Sequence, residues 1–503
     1  MHKENIIRWG ITANSHDASL AVFNNNHLLF AAHSERSSHV KNDKFLNETL
    51  INQALEYGKP DEVHWYENHW LKRVRQIKSK QYNLAFRKEM PMTTLKKLGI
   101  SAKFYNHKHH RSHAAAGFYT SPFDKATILV IDSIGEFETL TLWEGNGNEL
   151  TKKYSQKYPH SIGIWYSAMT QRIGLKPNED EYILMGWAAL GDPERFKKKI
   201  FEDFFYPLKT GSMKVQLKQD LHRGCKDWAP ELNTIQDYAD IAAATQYVYE
   251  RIFNHLCWTS TQYNKGCNNL VVMGGCALNC VANRTAGMFY KNVWIMPNPG
   301  DAGSAVGCVL DHLKTHIGFE TPYLGYNIAG DYPVQKAYKE LLKTGMVGIA
   351  NGRAEFGPRA LGNRSLLADP RGKDVKDLVN SVKRRQDFRP FAPVIMEEHV
   401  HDYFEMPPNV NTSPYMQVTA RTLQPDLFPA ITHVDGTARV QTVTEEQNPG
   451  LYKLLAKWYK KTKCPMLLNT SLNIKGSPIV DTEQDAEIWE EKYKIKVFTK
   501  EKI

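Results

Sequence analysis

ATILVIDSIGEFETLTLWEG, residues 126–145, decides the fold. An apolar run ends on Asp132, turns through a short Ser/Gly segment, and returns as a strand of alternating residues. The same design occurs once before, where IIRWGITA meets NSHD and continues as ASLAVF and HLLFAAHSE (residues 6–35). A third strand, NLVVMGG (269–275), leaves through two glycines into a loop and then a helix. Such glycine-bearing turns direct backbone N–H groups at an anion, and a helix N-terminus adds its dipole. Hairpin, hairpin and Gly-Gly loop in that order predict a duplicated nucleotide-binding fold of the actin, Hsp70 and sugar-kinase kind. Gly135, Gly274, Gly275 and Asn279 are the turn residues placed at the nucleotide.

Strands alternate with helical stretches such as YADIAAATQYVYERIFNHL (238–256), so the class is α/β. A length of 503 residues is too much for one ordinary core. The segment 317–333 lacks helical periodicity and carries Gly and Pro, which places a boundary near residue 325. Domains are therefore expected over 1–325 and 326–503. Seven scattered cysteines read as free thiols of a reducing compartment. The start has no secretory h-region, and no run of 18 apolar residues is present. The expected location is the cytoplasm, without a membrane partner.

The stretch HHRSHAAAGFYTSPF (109–123) puts His109 and His113 four apart on a helix, where both imidazoles face the same way. The pair alone is also what a surface helix shows by chance. Asp132, at the strand end, and Asp301, in PNPGDAG, are the carboxylates that could meet it. Two imidazoles and two carboxylates suit iron, manganese or zinc. A metallopeptidase reading fails, because the H-E-x-x-H glutamate is lacking: Arg111 follows the His109–His110 pair.

Eight segments occur in a telling order: GITANSHDASLAVF, HHRSHAAAGFYTSPF, VIDSIGEFET, GGCALNC, PGDAG, EFGPRALGNRSLLADPR, FRPFAP and LLNTSLNIKGSPIV. In these the chain, from about Ile7 to Val480, resembles the O-carbamoyltransferases of the NodU/CmcH type, which include nodulation-factor, cephamycin and tobramycin carbamoyltransferases. The resemblance implies an actin/Hsp70-like carbamoyl-transfer domain followed by a YrdC-like α/β domain. The second domain would form carbamoyl adenylate from ATP and carbamoyl phosphate; the first would pass the carbamoyl group to an acceptor hydroxyl. It implies that His109, His113, Asp132 and Asp301 hold a divalent metal, with iron the leading candidate. His16, in NSHDAS, matches the acceptor-side histidine, a general base for the attacking hydroxyl. Arg359, Arg389 and Arg439 match arginines on the nucleotide and phosphates, which suits planar bidentate donors. Asn469 and Ser471 match polar groups near the nucleotide. Either Lys383 or Arg384 matches the phosphate-binding lysine. EYILMGWAALG (181–191) and SIGE (133–136) depart from the usual EYKLMGLAPYG and GVGE, and imply an altered pocket in an active enzyme.

The formal net charge of +10 favours anionic partners. WLKRVRQIKSKQYNLAFRKEM (70–90) interleaves Lys and Arg with Trp70, Tyr82 and Phe86, and ERFKKKIF (194–201) adds a basic cluster. Basic residues can track phosphates while aromatics stack on bases. The acceptor is accordingly read as a hydroxymethylated pyrimidine, such as hydroxymethylcytosine, in single-stranded nucleic acid. The alternatives are a small sugar or antibiotic hydroxyl, and a non-catalytic nucleotide-binding scaffold. The intact ligand set and arginines speak against a scaffold.

Overall fold

The computed structural model describes residues 5–86, 90–372, 374–384, 386, 389 and 391–501. The class is mixed α/β. By density of internal contacts the chain divides into two compact units, one of residues 1–12, 24–27 and 60–318 and the other of residues 13–23, 28–59 and 319–503.

Among the described residues up to 318 the strands are β1 (Ile7–Thr12), β2 (Ser19–Asn24), β3 (His27–His33), β4 (Glu62–Trp65), β5 (Lys103–Asn106), β6 (Lys125–Gly135), β7 (Glu138–Asn146), β8 (Glu149–Lys157), β9 (Asn269–Met273) and β10 (Asn292–Trp294). They make two five-stranded sheets with one strand order: β3-β2-β1-β4-β5 and β8-β7-β6-β9-β10. This repeated order is the duplication expected from the two sequence hairpins. In the second sheet β6 to β8 form an antiparallel meander, and β9 joins β6 in parallel, with Thr127 opposite Leu270. In the first, β1, β4 and β5 run parallel, with Gly10 and Tyr105 flanking His64. Parallel neighbours require crossover connections, which is where the helices enter.

Three helices matter for the site: α1 (His69–Lys78), α2 (His109–Thr120) and α3 (Ser304–Leu313). Helix α2 is buried on almost every side, so it shows no apolar stripe. Its small residues permit this. A Cβ on Gly117 would stand 2.5 Å from Met273 Cγ, and one on Gly307 of α3 would stand 1.9 Å from the Ser112 carbonyl. The helix stops at Ser121, held extended before Pro122. The principal apolar core of this unit gathers Trp165, Phe204, Tyr249 and Phe253 against β6, β7 and β9. Each such side chain stabilises the fold by about 1.5–3 kcal/mol.

The second unit centres on a six-stranded mixed sheet. Its strands lie in the order Gln441–Val443, Ala392–Met396, Met466–Ser471, Arg364–Ala368, Met346–Ala350 and Val497–Phe498. Apolar clusters cover both faces, one built around Phe391, Phe428 and Trp489 and the other around Leu451, Leu454 and Trp458. Among the described residues no helix is long and apolar enough to cross a membrane, and the seven cysteines are free thiols.

Candidate metal centre and nucleotide-site residues

Four side chains from three elements converge within the first unit. His109 and His113 project from one face of α2, Asp132 from the end region of β6, and Asp301 from the short turn leading into α3. His109 Nε2 lies 3.1 Å from His113 Nε2 and 3.3 Å from both Asp132 Oδ2 and Asp301 Oδ1, and His113 Nε2 is 3.3 Å from Asp301 Oδ1. All four donor atoms fall within 4.8 Å of one another. A first-row ion with bonds of about 2.0–2.2 Å holds neighbouring donors about 3–3.5 Å apart. The spacing therefore fits a divalent ion, and the donor set of two nitrogens and two oxygens fits iron, manganese or zinc. The two Nε2 atoms facing each other have the same meaning: neutral imidazoles opposed at this distance need a shared proton or a cation.

The charges agree. Burial disfavours a charged His109, but the Asp301 charge and bonds to both carboxylates outweigh it and hold its pKa well above the ordinary value. Burial also opposes ionisation of Asp301, yet His109 and His113 hold its carboxyl well below the usual range. A proton on His109 thus occupies the position a metal would take, and metal binding would release it.

The walls of the centre escaped the sequence reading. Tyr66 donates its hydroxyl to Asp301 Oδ2 at 3.3 Å and sets its ring 4.9 Å from that of His109. Glu67 Oε2 lies 3.8 Å from His109 Nδ1, and Glu67 Oε1 accepts from Lys72 Nζ at 2.5 Å. Gly275, foreseen as a phosphate turn, donates its backbone N–H to Asp132 Oδ1 at 3.1 Å. Gly135 leaves room for a ligand: a Cβ there would stand 2.2 Å from His109 Cδ2. Gly274 has φ +89°, and a Cβ would meet the Ile131 carbonyl at 2.2 Å, so β9 can turn away only through glycine. Asn279 caps the short helix after the loop, accepting from Ala282 N at 3.0 Å, and also bonds Gln246.

His16 belongs to the second unit, where its Nδ1 pairs with Asp17 Oδ2 at 2.9 Å. The sheet of that unit brings several expected nucleotide residues together. Lys383 Nζ reaches Ser471 O at 2.5 Å, Ser471 Oγ at 3.2 Å and Asn473 Oδ1 at 2.6 Å. Arg384 is exposed, with φ +51°, so Lys383 and not Arg384 is joined to Ser471. Asn469 donates to Gln441 Oε1 at 2.7 Å and to the Ala360 carbonyl at 3.1 Å, leaving Oδ1 buried without a partner. Arg439 Nε is likewise buried without one. Arg359 and Arg389 are half-buried. The loop carrying Arg359 is organised by Glu355, whose Oε1 accepts from the N–H groups of Leu361, Asn363 and Arg364 at 2.7, 2.9 and 3.2 Å. Arg364, fully buried, binds the carbonyls of Asn351, Gly352, Tyr326 and Asp481. Both lie inside the quoted arginine motif, yet their roles are structural.

The basic stretch 70–90 is corrected in part. Lys72 and Arg75 are buried, one against Glu67 and the other on Gln81, so they cannot track a phosphate backbone. The exposed residues of α1 are Trp70, Leu71, Val74, Ile77 and Lys78, with Tyr82 and Phe86 exposed beyond it. Arg87, Lys88 and Glu89 lie outside the described residues. In the 194–201 cluster Lys197 pairs with Glu194, Lys198 with Glu202 and Lys199 with Asp203, an ion-paired solvated face.

The geometry thus gives a His/Asp quartet that could hold a metal and, in the other unit, an arginine-bearing loop. The sequence comparisons identify the family. Residues 66–310 match the carbamoyltransferase N-terminus and residues 338–502 the carbamoyltransferase C-terminus. Nodulation protein NolO of Bradyrhizobium diazoefficiens is 33% identical over 75% of this chain and 75% of its own. The 3'-hydroxymethylcephem-O-carbamoyltransferase of Amycolatopsis lactamdurans is 29% identical over 93% of this chain and 94% of its own. Among solved structures, T. kodakarensis HypF aligns over 62% of this chain and 48% of its own, at 11% identity and a TM-score of 0.38, too slight a likeness to argue from. The chain belongs to the carbamoyltransferase family.

Proposed function

We propose that this chain is an ATP- and metal-dependent O-carbamoyltransferase. The observation that carries the reading is the convergence of His109, His113, Asp132 and Asp301 in a member of this family. In the second, YrdC-like unit, carbamoyl phosphate is hydrolysed to carbamate and phosphate, and carbamate attacks the α-phosphorus of ATP. Carbamoyl adenylate forms and pyrophosphate leaves. The acceptor hydroxyl then attacks the carbamoyl carbon, the C–O bond to AMP breaks, and the product is a carbamate ester. Lys383, Arg359, Arg389 and Arg439 supply positive donors to the phosphates, and Asn469 and Ser471 hold polar edges of the nucleotide. His16 takes the hydroxyl proton, with Asp17 accepting at Nδ1 to fix the tautomer. The bound ion would supply positive charge to the leaving adenylate oxygens.

We assign the acceptor as a hydroxymethyl group on a pyrimidine of single-stranded nucleic acid. The support is the exposed face of α1, in which Arg73 lies 5.3 Å over the Trp70 ring and Tyr82 and Phe86 stand in solvent, on a chain of charge +10. Exposed aromatics beside cations are stacking platforms for bases. Purified protein with ATP, carbamoyl phosphate and Fe²⁺ is offered hydroxymethylcytosine in an oligonucleotide, the free nucleoside, and a hydroxymethylcephem. Mass spectrometry should find one added carbamoyl group on the oligonucleotide, and less of it for Trp70→Ala. Carbamoylation of the cephem or nucleoside with an untouched oligonucleotide overturns the acceptor assignment; pyrophosphate release independent of carbamoyl phosphate overturns the whole reading.

A further inference from the structure

A second group of metal-type side chains lies within the first unit, on β4 and the end of α3. Glu62 and His64 are two apart on β4 and so project from one face of the sheet. His312 comes from the last turn of α3. His64 Nε2 is 3.7 Å and His312 Nε2 3.9 Å from the same oxygen, Glu62 Oε2, and one donor atom from each residue lies within 4.8 Å of the others.

The hydrogen bonds around His64 fix what that nitrogen can do. Asp311 Oδ2 only accepts, so His107 Nδ1, 2.8 Å away, carries a proton and donates it. In a neutral His107 the other nitrogen, Nε2, then accepts, and its neighbour at 3.0 Å is His64 Nδ1, which must donate. That leaves His64 Nε2 with a lone pair. The side chain is fully buried and Nε2 has no hydrogen-bond partner. A lone pair thus faces a carboxylate oxygen at 3.7 Å with no proton between them, the orientation that two ligands of one ion require. The chain Asp311–His107–His64 is also the arrangement that orients a ligating imidazole, in which the non-ligating N–H is committed to a carboxylate-backed acceptor. Asp311 is itself anchored, accepting from Arg111 Nε at 2.5 Å.

We infer that Glu62, His64 and His312 form a second divalent-cation site, separate from the four-donor centre. Two imidazoles and one carboxylate are a donor set for zinc, or for cobalt or nickel in its place. His312 is exposed, so the fourth position opens to solvent. Arg8 Nε donates to Glu62 Oε2 at 2.7 Å, which leaves the carboxylate's remaining lone pairs for the ion and weakens binding by like charge. The Tyr105 ring stacks on His64 at 5.0 Å and flanks His312 at 5.2 Å, closing the apolar side. The ion would join β4 to the last turn of α3, whose first turn follows directly on Asp301.

The full chain is stripped with a chelator and titrated with Zn²⁺ against a chromophoric competitor. Two equivalents per chain are expected for the wild type, one for His312→Ala, one for His113→Ala, and none for the double variant. The exposed His312 makes that substitution tolerable; a circular-dichroism spectrum checks it, and Glu62→Gln serves as a second variant, weakening one site at least tenfold. Two equivalents retained in a folded His312→Ala overturn the inference. So does a wild type that takes up a single equivalent lost only with His113.

Discussion

Gly135→Ala tests the proposed metal centre without changing any of its four donors. The added Cβ would stand 2.2 Å from His109 Cδ2, 2.3 Å from Cγ and 2.8 Å from Nε2. Ordinary carbon contacts are about 3.5–4.0 Å, so the ring must retreat by more than about 1 Å. It has nowhere free to go: the Tyr66 and His113 rings both lie 4.9 Å away, centroid to centroid. Metal bonds tolerate shifts of about 0.2 Å. Metal affinity should therefore fall at least 10–100-fold, the scale of losing a supporting partner, and overpacking should destabilise the fold by about 1–3 kcal/mol. Gly300→Ala is the control, because a Cβ at that position meets nothing within 4 Å although Asp301 is next in the chain. Metal content by plasma mass spectrometry, affinity by chelator competition and stability by urea unfolding are measured for both. A folded Gly135→Ala with wild-type metal content and affinity would refute the geometry of the centre.

Asp301→Asn should release the ion from the four-donor centre and abolish transfer, measured as metal content and carbamate-ester yield. Lys383→Met should suppress pyrophosphate release at least tenfold while Arg384→Met leaves it near wild type; the reverse order would assign the phosphate contact to Arg384. Burial lowers the His33 pKa from 6.5 to about 4, outweighing Asp17 and Glu35. Below about pH 6.5 the unfolded chain takes a proton that the folded chain refuses until pH falls through about 4, so stability is complete above that window and declines within it. Urea unfolding at pH 7 and pH 5 should differ by about 2 kcal/mol on this account, and His33→Gln should remove most of the difference.

The grouping of His109, His113, Asp132 and Asp301 was legible because helical spacing aligns the two histidines and because two carboxylates lie beside glycine-bearing turns. The repeated hairpins announced the two sheets for a similar reason: strand alternation and turn residues are local signals. The walls of the centre were not legible. Tyr66 and Glu67 follow β4 in a stretch without a distinctive pattern, and their work depends on α2 arriving from forty residues downstream. Charge counting misread α1, since composition does not reveal that Lys72 turns inward to Glu67 while Trp70 and Val74 remain outside. That the His109 ring stands beside Gly135 was not visible in the sequence either. Lys383 could not be separated from Arg384 by spacing alone; the Ser471 contact required strand Met466–Ser471 to be in place.

The two sheets with one strand order carry a consequence for how such a chain could diversify. A five-strand plan written twice offers the same turn twice, between its first and second strands. In the later copy the strand that enters that turn carries Asp132, one of the four clustered donors. In the earlier copy the turn carries His16 and Asp17, with no ligand to the four-donor centre among them. One copy can therefore keep its donor residues while mutation explores the turn of the other, and exchanging the NSHDAS turn between relatives leaves the donor-bearing copy intact.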